Sequence, residues 1–437
     1  MSTGPKIGAR MWSMLALLGL AGQFAWTIEN MYFNVFLYNT ISTDPGYVAT
    51  MVAASAVIAT LTTLLMGVVS DRTGKRKPFI CAGYLLWGVS TMAFGLVTVE
   101  NAALLFPSAN AVAAAAFMVI ALDCIMTFFG STANDAAFNA YVTDVVDTRQ
   151  RGKVESVLSI LPLISMLIIF GLFDGMTQAG KWQEFFFIFG GVVIATGFAS
   201  LFLLEDADIK PERKPFFEQL VYGFRPAVVR EHKSLYLALT AMCVFSVAVQ
   251  VFFPYLIIYM QHYLKLDAYA IVLGAVLIVA SAVSVIGGRF IDRVGKLRFA
   301  IPAALVMLLG LLAMFFVRDM LPVILAGMVM MSGYMLLTST LMAQIRDLTP
   351  PDKSGHFQGV RMVFSVMLPM LIGPFIGAQV IRGNAQTYVD LGQTKTVPTP
   401  EIFIAAAAVL LLTAIPLWML YREQKKQLAA VKEETVC

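Results

Sequence analysis

Long apolar runs, broken only by scattered small or amide-bearing residues, alternate with short polar connections along almost the whole chain. Twelve of them approach or exceed the roughly 20 residues needed to cross the hydrocarbon of a bilayer. They lie at 11–38, 47–70, 78–99, 110–136, 154–175, 184–204, 235–262, 268–290, 299–317, 320–345, 357–381 and 401–421. The pattern predicts an all-α integral membrane protein of twelve transmembrane helices. The longest interruption, 205–233, is charged and holds Pro211, Pro215 and Pro226. It divides the chain into a six-helix bundle at 1–204, a linker, a second six-helix bundle at 234–421 and a tail at 422–437. In the linker, Phe216, Phe217, Leu220, Val221 and Phe224 recur near helical spacing. An amphipathic helix on the membrane surface and a loop packed on the bundle both fit them.

Composition agrees with this reading: 59% of residues are hydrophobic and 13% charged, far from the balance of a soluble domain. The first run is a full-length span and is read as helix 1, not as a cleaved leader. If both termini are cytoplasmic, the external Lys and Arg are Lys181, Lys265, Arg318, Arg382 and Lys395. All the others of the 31 then fall at cytoplasmic positions or inner helix ends, as the positive-inside rule requires. The net charge of +4 reflects topology, which leaves no basis for a nucleic-acid partner. Cys81, Cys124 and Cys243 lie within spans and Cys437 ends the chain, so there is no disulfide framework and no metal-ligand spacing. No grouping of nucleophile, base and oxyanion donor indicates an enzyme, and no cofactor is implied.

Two polar segments recur. Gly67 to Lys77 reads GVVSDRTGKRK, and Gly288 to Arg298 reads GRFIDRVGKLR, with glycine, Asp-Arg and glycine at identical offsets. Asp144 to Gly152, after helix 4, aligns in the same way with Asp347 to Gly355, after helix 10. The chain is therefore a duplication, with one copy of each segment per half. In such a segment Gly67 lets a neighbouring helix approach, Gly74 permits a tight turn, and the basic residues after it fix the cytoplasmic side. Asp144 and Asp347 are candidate partners for the basic residues of the adjacent loops. Exposed pairs of this kind add little stability, which favours a role in gating.

Gly67, Asp71, Arg72, Gly74, Arg76 and Lys77 match the loop signature between helices 2 and 3 of the major facilitator superfamily, and the second copy, with Gly288, Asp292, Arg293 and Gly295, falls at its loop between helices 8 and 9. The resemblance covers the whole chain. It implies the major facilitator fold, two pseudo-symmetric six-helix halves working by alternating access, with the substrate site near the midplane between them. It also implies that Asp71 sits near the N-terminus of helix 11, where the helix dipole favours it, and helps to hold the cytoplasmic side shut. These residues, with Asp144, Asp347 and Arg361, form the expected gating set.

Polar residues inside spans are costly and point to function. At 100° per residue, Gln23, Thr27, Asn30 and Asn34 of helix 1 fall within about 60° of one another, with Trp26 on the flank. A stripe of hydrogen-bonding groups beside an indole suits a hydroxyl-rich solute. Glu29 in the same helix is expensive as a charge in hydrocarbon, so it is the first candidate to carry a coupling proton. Helix 4 supplies Asp123, for coupling or substrate contact, with Thr127 and Asn134 on its face and Asp135 nearer the cytoplasm. Helix 7 offers Gln250 and Tyr255 as further substrate contacts, and helix 10 offers Ser332, Tyr334, Thr338 and Gln344. Arg361, early in helix 11, could bind an anion or pair with an acidic residue at the inner gate, and the second reading is favoured. His232, His262 and His356 lie at span ends or in loops, which argues against a histidine relay.

Within the superfamily, 134–159 and helix 11, reading GVRMVFSVMLPMLIGPFIG, look like the glycoside-pentoside-hexuronide cation symporters and the sucrose-type carriers. Those symporters carry two helix 2 aspartates as a sodium site. Here Ala59 and Thr63 stand in those places, which favours H+ over Na+ as the coupling ion. The expectation is a monomeric, multi-pass protein of the cell membrane that carries a small polar solute, a sugar or glycoside, together with a proton. A facilitator or exporter of an amphipathic organic compound, its pocket built from some of the 25 methionines and 32 phenylalanines, and a non-transporting solute sensor remain the alternatives.

Overall fold

The computed structural model describes residues 8–146, 154, 157–205, 222–350, 354–383, 386–390 and 393–436. Twelve helices are long and apolar enough to cross a membrane: α1 (Arg10–Ile41), α2 (Pro45–Thr73), α3 (Lys77–Leu96), α4 (Ala111–Val145), α5 (Leu161–Gln178), α6 (Trp182–Leu203), α7 (Lys233–Tyr263), α8 (Tyr269–Gly288), α9 (Lys296–Phe316), α10 (Met320–Leu348), α11 (Phe357–Gly383) and α12 (Glu401–Lys426). All twelve expected spans are present. α5 is described from Leu161, with Pro162 in its first turn, a position that proline tolerates because the first amides of a helix are unpaired. Residues 216–221 of the linker, where the amphipathic pattern lies, are outside the described residues. Pro226–Glu231 forms a short helix.

The chain divides into two compact units, Met1–Lys214 and Pro215–Cys437. The first holds α1 to α6. α2 begins on Asp44, whose carboxylate accepts from Gly46 N, with Pro45 in its first turn. α3 and α6 pack backbone to backbone: a Cβ at Gly88 would meet Gly190 O at 2.6 Å, and one at Gly197 would meet Leu85 N at 2.9 Å. Close approach through small residues is the main packing device in lipid, where hydrocarbon gains nothing by leaving hydrocarbon. Toward the other end of α1, Phe33 stacks on Phe94 at 3.8 Å, and Phe36 packs on Phe186 and Trp182.

The second unit holds α7 to α12 and uses the same device. Gly310 and Gly333 bring α9 against α10, where a Cβ at either would strike the backbone of Met330 or Met307. Gly373 and Gly377 of α11 lie against α7, and the Tyr255 hydroxyl donates to Pro374 O at 2.8 Å across that contact. A two-stranded antiparallel hairpin, β1 (Gln386–Asp390) with β2 (Gln393–Val397), pairs Gln386 with Val397 between α11 and α12.

Several membrane helices carry wide, π-helical turns: Ile28–Tyr32 and Leu37–Ile41 in α1, Ser131–Phe138 in α4, Ile169–Phe173 in α5, Tyr259–Tyr263 in α7 and Val363–Met367 in α11. Such turns are rare and concentrate at functional positions. Two of them hold Glu29 and the Asn134-Asp135 pair.

Candidate functional site

Several buried polar groups of the first unit gather where α1 meets α4. The Thr127 hydroxyl donates to Glu29 Oε1 at 3.0 Å. Glu29 Oε2 and Asp123 Oδ1 are both shut away from solvent and have no hydrogen-bond partner among the described residues. Asp123 is 1% exposed, its carboxyl is met by the Ser55 hydroxyl from α2, and it lies within electrostatic range of Glu29. Asp135 is also within that range and accepts from Asn134 Nδ2 at 3.2 Å and Ser131 Oγ at 3.3 Å. Tyr84 of α3 donates to Leu18 O at 2.8 Å, with Asn134 Oδ1 at 3.2 Å. A cluster of three carboxyls has thus formed from α1 and α4 without a cation paired to any of them among the described residues.

The stripe on α1 takes a different form from the one a regular helix would give. Thr27 is buried and shares a 3.0 Å hydrogen bond with Ser165 of α5. Asn30 is exposed and donates to Trp26 O at 2.8 Å, while Asn34 is buried and donates to Asn30 O at 2.9 Å. Trp26 packs on Trp87, ring centroids 5.0 Å apart, and Gln23 is half-buried. The wide turn at Ile28–Tyr32 adds a residue to the repeat, so residues after it rotate away from those before it, and the 100° projection fails across it. In the second unit Gln250 is half-buried beside Gly373, and Tyr255 is committed to Pro374 O.

The two signature loops differ in their ion pairs. Arg76 is buried and donates to Asp71 Oδ1 at 2.5 Å, Ser70 Oγ at 2.5 Å and Asp144 Oδ2 at 3.0 Å. Gly74 ends α2 with φ 65° and ψ 10°, a left-handed conformation that glycine adopts without strain. Arg72 is exposed and Lys77 half-buried. In the second copy Gly295 has φ 93°, and Lys296 donates to Asp347 Oδ2. The side chains of Asp292 and Arg293 lie outside the described residues, as do 147–152 of the other repeat. A Cβ at Gly67 or Gly288 would meet nothing within 4 Å among the described residues. Arg361 is half-buried near Arg346, and Arg361 makes no ion pair with an acidic residue among the described residues of its unit.

One buried carboxylate lies outside the residues that the sequence singled out. Asp174 of α5 is 2% exposed, accepting from Tyr32 OH at 2.9 Å and Gln178 Nε2 at 2.7 Å. Its signal was available, since a carboxyl at the end of an apolar run is as conspicuous as one in the middle. Ser55, Ser165 and Tyr84 carried no comparable signal: isolated hydroxyls in apolar runs are common helix glue.

The profile of the Major Facilitator Superfamily matches residues 15–374. No curated protein matches the sequence significantly. Solved structures share the fold at low identity. A mutant form of the nucleoside transporter NupG aligns with a TM-score of 0.74 at 12% identity, over 94% of this chain and 99% of that one. The xylose transporter XylE from E. coli, in a partially occluded inward open conformation, gives 0.65 at 13% over 93% and 97%. A bacterial homologue of the human lysosomal transporter Spinster gives 0.68 at 14% over 96% and 98%. With twelve spans, two matching signature loops and a profile match over most of its length, the chain belongs to the Major Facilitator Superfamily.

Proposed function

We propose that this multi-pass membrane protein is a proton-coupled symporter that brings a small polar solute, a sugar or glycoside, into the cell by alternating access. The observation that carries the reading is the Glu29–Asp123 pair, two buried carboxyls with one unpartnered oxygen each and no cation beside them among the described residues. A carboxyl taken out of water without a cation is far cheaper as the neutral acid than as the anion. Such a pair is suited to hold a proton in one state and release it where water reaches it. Thr127 positions the Glu29 carboxyl, and Asp135 with Asn134 and Tyr84 supplies the next hydrogen-bonding groups.

In the first unit Gln23 and Asn30, each with accessible surface, are the proposed solute contacts and Trp26 a stacking face; in the second, taken by itself, Gln250 is the proposed contact. Thr27, Asn34 and Tyr255 act by fixing the helices that carry them. Asp71, Arg76 and Asp144 lock the loop between α2 and α3 in one state, and Lys296 with Asp347 does the same in the second unit. The basic bias supports a reading with both termini in the cytoplasm, and the cell membrane is the proposed location. The known xylose transporter among the fold relatives is consistent with a sugar, and Thr63, in place of an aspartate, with H+ rather than Na+.

The test is uptake into proteoliposomes across a panel of labelled sugars and glycosides, with an imposed pH gradient and separately with a sodium gradient. Accumulation driven by the pH gradient alone is expected. Accumulation driven only by sodium would sink the coupling assignment, and uptake of no sugar at all would sink the solute class.

A further inference from the structure

A cavity of about 350 Å3 opens in the second unit where the ends of α7, α10 and α11 meet. Its polar lining comes from Arg346, Thr349, Gln358 and Arg361, while Phe357 and aliphatic residues of α7 and α10 form an apolar floor. The two arginines lie close enough to repel each other. Asp347, next to Arg346 in sequence, is committed to Lys296, and neither arginine pairs with a carboxylate among the described residues. The Thr349 hydroxyl donates to Ile345 O at 2.7 Å, which leaves its oxygen only as an acceptor.

The C-terminal end of α10 accounts for one cation, since helix ends attract them. It does not account for Arg361, which lies half-buried in the first turns of a membrane helix that continues through Val363–Met367. Holding a second, partly desolvated guanidinium beside the first costs free energy unless an anion joins them. Guanidinium groups match the forked oxygens of phosphate better than any other side chain does. A tetrahedral phosphate, free or in a diester, also presents its oxygens in diverging directions, so two guanidinium groups on different helices can each bond one.

We propose that this cavity is a phosphate-binding site, separate from the carboxyl cluster of the first unit. Arg346 and Arg361 grip the oxygens and the Gln358 amide donates a further hydrogen bond. Phosphate chemistry reaches such a place from two sources: a free phosphate anion, or the headgroup of an anionic phospholipid whose acyl portion covers the apolar floor.

The experiment follows thermal unfolding of the full-length protein through tryptophan fluorescence. In detergent, inorganic phosphate is titrated against sodium chloride of equal ionic strength. In nanodiscs, phosphatidylglycerol mixed with phosphatidylcholine is compared with phosphatidylcholine alone. Wild type, Arg346→Gln, Arg361→Gln and the charge-matched control Lys425→Gln are measured in both arms. Phosphate is expected to raise the midpoint of wild type and Lys425→Gln by several degrees, with apparent affinity falling about tenfold or more in either arginine variant. A phosphate response identifies a free-anion site. A phosphatidylglycerol response without one, lost in the arginine variants, identifies a headgroup site. No wild-type response to either probe beyond ionic strength, or one that both arginine variants retain, overturns the proposal. If Arg361→Gln does not fold, the wild-type titrations and Arg346→Gln, which alters an exposed residue, decide the matter.

Discussion

In the first unit Glu29, Asp123 and Asp135 stand where α1 meets α4, and Asp174 is buried near the end of α5. In the second, no carboxylate among the described residues lies in the middle of a span, and Arg361 is the charge that enters α11. Both units use the same packing device, glycine pairs that bring two helices into backbone contact: Gly88 with Gly190 in one, Gly310 and Gly333 in the other. The two units thus share a packing device that any six-helix bundle in lipid can use, while the buried carboxyls among the described residues lie in the first. The signature loops show the same divergence on a smaller scale. Arg76 is buried among two carboxylates and a hydroxyl, whereas the second copy has Leu297 at that offset and relies on Lys296, which pairs with the largely exposed Asp347.

The asymmetry of the interiors predicts the largest effect. Glu29→Gln and Asp123→Asn should each reduce pH-driven accumulation to the level of empty vesicles, while Asp319→Asn, at an exposed carboxylate of the second unit, should change it less than about twofold. Equal losses in all three would erase the distinction between the units. The loops provide the next test. Arg76→Ala leaves Asp71 and Asp144, both partly exposed, without their shared cation and should destabilise the first unit by about 2 kcal/mol, against less than about 1 kcal/mol for Lys296→Ala, read from unfolding midpoints in detergent. A cost for Lys296→Ala as large as that for Arg76→Ala would show the two loops to be equivalent after all.

Smaller effects sharpen the account within each unit. Thr127→Val removes the donor to Glu29 Oε1 and should shift the pH dependence of uptake without abolishing it, at a stability cost of about 1 kcal/mol. An unchanged pH profile would remove Thr127 from the coupling machinery. Tyr255→Phe, which loses only the bond to Pro374 O, should cost about 1 kcal/mol and leave the driving ion unaltered. A switch in driving ion would place coupling chemistry in the second unit.

Span positions, the duplication and the pairing of Asp144 and Asp347 with basic residues of the adjacent loops were legible in the sequence, because apolar length and charge order are one-dimensional signals; that the partners are Arg76 and Lys296 comes from the structure. The α1 stripe was only half legible. Gln23, Thr27, Asn30 and Asn34 align on a uniform helix, but a wide turn at Ile28–Tyr32 is set by tertiary packing and separates them. Thr27 turns to Ser165, and the two asparagines bond their own backbone. The Ser55 contact to Asp123 and the Tyr32–Asp174 bond join distant segments, and nothing in either segment alone announces its partner. The hairpin Gln386–Val397 was missed because five-residue strands in a polar connection leave little periodicity to read.

The central claim is that solute and proton move together through the Glu29–Asp123 pair. Its most direct test is proton flux itself: proteoliposomes loaded with a pH-sensitive dye, at equal pH inside and out, receive a solute gradient from the sugar and glycoside panel. The account predicts internal acidification on solute entry for wild type and none for Glu29→Gln or Asp123→Asn, with solute still equilibrating in at least one of them. Solute entry without acidification in wild type, or acidification that persists in both variants, would contradict it.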